Sequence, residues 1–83
     1  MLSIEGKVNR PNDYTLLLGN HTYDVKGDFL RQGLVAARRA LQAGLQLVVP
    51  LHDPDPDTGP SYVLNKDETK RFKDVCKQLL LGR

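Results

Sequence analysis

Residues 52–60, HDPDPDTGP, hold the densest run of oxygen donors in the chain. Asp53, Asp55 and Asp57 stand where an EF-hand-type calcium loop places its first, third and fifth ligands. The rest of that motif is missing. Its sixth position is Thr58, with Gly59 one residue late, and its twelfth is Leu64, which cannot bind a cation. Pro54 and Pro56 bias the backbone toward polyproline II and oppose curling around an ion. The expected role is a solvated connection between two strands, with no metal site. A loop of this kind can also be a contact surface.

Other catalytic arrangements are equally incomplete. His21, His52 and Cys76 come from three distant segments, so a metal site would need all three to converge. Ser3 and Ser61 lie in strand-like sequence without a G-x-S-x-G elbow. Neither G-x-G-x-x-G nor a P-loop is present. Carboxylates pair only in the acidic run or near helix starts. No catalytic residue and no cofactor is expected, and the chain reads as a non-enzyme.

The basic residues are better organised. Lys66, Lys70, Lys73 and Lys77 recur at helical spacing and form one stripe. Arg31, Arg38 and Arg39 crowd the polar side of an earlier helical segment, with Val35 among them. Merged, the two sets would make a phosphate-binding face of point charges and bidentate guanidinium groups. Against this, Tyr14, Tyr23 and Tyr62 belong to strands, and no aromatic nucleic-acid motif occurs. A solvated helix face is the competing reading of the lysines.

The chain that must position these groups is 83 residues long, enough for one compact domain spanning 1–83 with a thin core. Its net charge of +2 is too small to imply a nucleic-acid partner by itself. Cys76 is the lone cysteine, so no intramolecular disulfide can form, as suits a reducing compartment. The start, MLSIEGKV, has no apolar core of a signal peptide, and no run is long enough to span a membrane. A cytoplasmic location is expected.

LSIEGKV alternates Leu2, Ile4 and Val8 against Ser3, Glu5 and Lys7, as a half-buried strand does. Gly19-Asn20 between two β-rich runs predicts a two-residue hairpin, type II′ with Gly first. That register pairs Leu18 with His21, Leu16 with Tyr23 and Tyr14 with Val25, and sorts most large side chains to one face. A helix should begin after Asp28 as its N-cap and stop at Gly44. Its Leu30, Leu34, Ala37, Leu41 and Leu45 share one side. Phe29, Gly33, Ala36 and Ala40 extend that side as a small-residue stripe, suited to close approach of a sheet. LQLVVPLHD reads as an edge or terminal strand because of Pro50, pairing with SYVL. Asn65 with Glu68 three residues on makes a capping box for the last helix. Phe72, Val75, Cys76, Leu79 and Leu80 give that helix its core stripe.

The predicted fold is α+β, a small antiparallel sheet with two helices packed on one face, in the order β-β-β-α-β-β-α. That order resembles type III secretion chaperones after their first helix. The resemblance is one of topology and implies no chemistry. The functional expectation is a small non-catalytic, regulatory protein-binding module acting as a homodimer. The apolar arc of residues 29–45 looks broader than its own chain can cover, so Leu30, Leu34, Val35, Ala37 and Leu41 are the expected interface. The alternative is nucleic-acid binding through Arg31, Arg38, Arg39 and the lysine stripe.

Overall fold

The structure is a computed structural model that describes residues 2–50 and 61–82. Its elements run β1 (Ile4–Arg10), β2 (Asp13–Leu18), β3 (His21–Lys26), α1 (Gly27–Ala43), β4 (Leu47–Pro50), β5 (Ser61–Leu64) and α2 (Lys66–Leu80). This is the expected α+β order. The acidic run at 53–57 lies outside the described residues.

The strands divide into two sheets rather than one. β1, β2 and β3 form an antiparallel meander, and β4 pairs antiparallel with β5. The β2–β3 hairpin has the predicted register, with Leu18 opposite His21, Leu16 opposite Tyr23 and Tyr14 opposite Val25. Gly19 has φ +63 while Asn20 stays out of the left-handed region, as a II′ turn requires. One face of the meander enters the core through Ile4, Leu16, Leu18 and Tyr23. Thr22 and Asp24 face solvent. The two sheets meet through side chains. The Tyr23 and Tyr62 hydroxyls lie 2.9 Å apart, and their rings pack edge to face at 6.2 Å.

The start of α1 differs from expectation. The helix begins two residues early, at Gly27, and Lys26 gives it no side-chain cap. Asp28 therefore sits inside the first turn, where its carboxylate takes the Arg31 guanidinium at 2.7 Å. The capping acceptor is Asn12 from the β1–β2 turn. Its Oδ1 receives the Gly27 N–H at 3.0 Å, and its own φ of +66 suits an asparagine in a tight bend. The far end behaves as predicted, with Gly44 left-handed at φ +69.

The small-residue stripe of α1 meets α2 at Gly33. A Cβ built on Gly33 would lie 2.9 Å from Cε2 of Phe72 and 3.6 Å from Sγ of Cys76. Phe72 and Cys76 are fully buried at this crossing. On an adjoining flank, Val75 and Leu79 of α2 press on β1 at Gly6. So α2 is the central element, with β1 on one side and α1 on the other.

The Asn65–Glu68 capping box is present, with Asn65 Oδ1 accepting from Glu68 N–H and Glu68 Oε1 from Asn65 N–H. Glu68 does more than the sequence promised. Its Oε2 accepts the Leu2 N–H at 2.7 Å and ties the start of β1 to the start of α2. The Asn65 and Leu2 N–H groups hold its carboxyl below its ordinary value of 4.5, against the opposing effect of burial. A depressed carboxyl contributes stability above that ordinary value and loses it as pH falls through the lower, folded-state value. The urea midpoint should therefore drop as pH is lowered below 4.5. Glu68→Gln, which keeps the box without titrating, should flatten part of that drop. Equal acid sensitivity in both proteins would contradict this role.

Among the described residues, no helix is long and apolar enough to cross a membrane.

Candidate functional site

Four residues of α1, Phe29, Gln32, Gly33 and Ala36, recur at helical spacing and form one wall of a groove. Leu47, Val48 and Val49 of β4 form the other, with Phe72 at the base. The volume is about 380 Å³. Successive strand residues point to opposite faces, so three in a row can line one groove only where it runs along the strand edge. Among the described residues β4 pairs with β5 alone, leaving this edge without a ladder partner. An unpaired edge beside apolar side chains is a template for an added strand.

The small sheet is also apolar outside. Leu47, Val49 and Leu64 are buried, but the cross-strand pair Val48 and Val63 is 54% and 57% exposed. Isolated exposed valines need no explanation, whereas a directly opposed pair beside an apolar groove forms a patch. An unbroken apolar run such as LVV reads as buried on both sides, which is why the sequence did not separate Val48 from its neighbours.

The residues of the expected interface scatter in depth. Leu30 and Ala37 are completely enclosed by their own chain and cannot meet a partner. This corrects their assignment, and the reason is that α2 covers the side of α1 they occupy. Leu34 and Leu41 are half-buried, with Leu34 packed against the core cluster. Val35 is 45% exposed. It lies in a second, shallower depression with Arg31, Gln32, Ala36 and Arg39, which shares Gln32 and Ala36 with the groove.

The basic residues fall into separate situations. Arg31 is paired with Asp28 at the surface. Arg38 and Arg39 are exposed, and no described acid pairs with them. Lys66, Lys70 and Lys77 are exposed, Lys73 is half-buried, and these four likewise lack a described ion pair. Arg71 was outside the predicted stripe and has a structural task, donating from Nε to the Ile4 carbonyl at 3.0 Å.

His21 is exposed at the hairpin, with its ring 6.3 Å from that of Tyr23. Cys76 is enclosed between the helices, and burial pushes its thiol up to about 12. A thiol so placed stays protonated at neutral pH and is a packing group, not a nucleophile. Those two do not converge, and His52 lies outside the described residues. Among the described residues, no three His, Cys, Asp or Glu side chains are grouped as a metal would need.

The described features define a small α+β domain with a three-stranded antiparallel sheet, a two-stranded sheet and two helices. Comparison with protein-family models, with curated proteins and with solved structures gives no match.

Proposed function

We propose that this protein is a non-catalytic binding module that docks another protein along the α1–β4 groove. One observation carries the reading: a strand edge that has no ladder partner among the described residues, bordered by apolar side chains from α1 and α2. Strand addition at such an edge supplies main-chain hydrogen bonds, while the groove selects side chains. The outward Val48–Val63 pair adds apolar area beside it. Homodimerisation no longer draws support from Leu30 and Ala37, which are enclosed, and docking here does not require it.

The test is capture by wild-type protein against Ala36→Arg, which fills the groove from its half-exposed α1 wall. A protein retained by the wild type should be lost with the variant, while the melting temperatures stay close. The same retained set in both would contradict docking at this groove.

A second reading, nucleic-acid binding, draws on Lys66, Lys70 and Lys77, which are exposed without described acidic partners. Binding through phosphates must weaken steeply with salt, and replacing Lys70, Lys73 and Lys77 by Gln should flatten that slope. No DNA or RNA binding at low salt would remove it.

A further inference from the structure

The buried Cys76 is a lone thiol with a packing role. The outer face of the meander, around Leu17 and Thr22, is a shallow depression with one acid, Glu5, and one base, Lys7, and nothing to select a ligand. The groove differs: its described lining is uncharged, and the charge beside it comes from the depression that shares its wall. The groove and the depression that shares its wall present Arg31 and Arg39 and no acid among their described lining residues.

We propose that the occupant of the groove is an extended, acidic segment of a partner protein, with apolar residues alternating between carboxylates. This rests on the docking reading above and names the chemistry of its ligand. A strand laid along β4 would direct alternate side chains toward Phe29, Ala36 and Phe72. The intervening carboxylates would face Arg39, which has no described acidic partner, and Arg31, which Asp28 holds at the surface. Arginine suits this task because its fork takes a carboxylate in bidentate fashion. β4 is only four residues long, so its ladder contribution is short and the side chains must supply the selectivity.

Charge also discriminates against a second copy of this chain. Two antiparallel α1 helices meeting about a two-fold axis at Val35 would set Arg31 of one copy against Arg39 of the other. Like charges placed directly across a contact disfavour it.

The probe is a displayed library of random linear peptides, selected on the intact protein. Enriched sequences should combine Asp or Glu with alternating apolar residues. A synthetic peptide of the enriched sequence should bind on the order of tenfold more weakly to the Arg31→Glu, Arg39→Glu double variant. It should keep its affinity for the Lys66→Glu, Lys70→Glu double variant, whose changes lie on α2. Methylating alternate backbone amides of the peptide should abolish binding in one phase only, as strand addition requires.

Enrichment of basic or neutral sequences, or no enrichment, overturns the proposal. So does an equal loss of affinity in the two double variants, which would mark diffuse attraction. A dimer in sedimentation whose formation is blocked by Ala36→Arg would overturn it as well, because a second copy would then fill the groove. If wild-type protein still captures a partner that Ala36→Arg loses, docking stands and only the acidic occupant fails.

Discussion

Replacing Phe72 with alanine is expected to destabilise the protein by about 3–5 kcal/mol. Phe72 is 1% exposed and is among the largest fully buried side chains. Its ring fills the space that Gly33 leaves open on α1 and also underlies the groove. Removing it forfeits the transfer free energy of the ring and leaves a cavity where the two helices cross. α1 has little else to rest on, because its contacts with the sheets are slight beside its contact with α2. A chain of this length has a total stability of roughly 4–12 kcal/mol. The variant should therefore be partly unfolded without denaturant, or unfold at much lower urea with an unchanged slope. A loss under about 1 kcal/mol would show that α1 is held elsewhere.

Gly33→Val tests the same crossing from the other helix. At an exposed helical site, replacing Gly would stabilise by a few tenths of a kcal/mol to about 1 kcal/mol. Here the new Cβ would lie 2.9 Å from Cε2 and 3.0 Å from Cζ of Phe72. That ring is 1% exposed and must shift to admit the new side chain, so overpacking should win and cost about 1–3 kcal/mol net. Combining Gly33→Val with Phe72→Leu should recover part of the loss, a positive coupling that thermal or urea unfolding of the four proteins would reveal. Strict additivity would mean that Gly33 and Phe72 do not share space. Gly33→Val also narrows the groove, so binding should be measured on the folded fraction.

Much of the local structure was legible because its causes are local. Gly19-Asn20 sets the hairpin register, and that register puts Leu16, Leu18 and Tyr23 in the core. Asn65 and Glu68 announce the capping box three residues apart. The β4–β5 pairing followed from two β-rich runs separated by turn residues. What was not legible depends on contacts distant along the chain. Asn12 caps α1 from another turn, Glu68 binds Leu2, and Arg71 binds the Ile4 carbonyl. Each is a polar side chain satisfying a backbone group that its own neighbourhood leaves open, and periodicity carries no trace of it.

The candidate site was read less well. The breadth of the apolar arc on α1 was visible, but not which element covers which part. A small-residue stripe specifies close approach and leaves the approaching surface unnamed. α2 meets the stripe only at Gly33, Phe29 and Ala36 line the groove opposite β4, and Leu30 and Ala37 are core. Pro50 already marked β4 as an edge strand, but the groove beside it depends on where α1 and α2 pack.

The most direct measurement places a photo-crosslinking amino acid at Gln32, an exposed residue of the groove wall, in living cells. The control carries the same group at Thr22, on the solvent face of the three-stranded sheet. Illumination should yield a discrete protein adduct from position 32 and none from position 22. Adducts of equal yield from both positions, or none from position 32 while the protein is folded and abundant, would contradict docking along the α1–β4 groove.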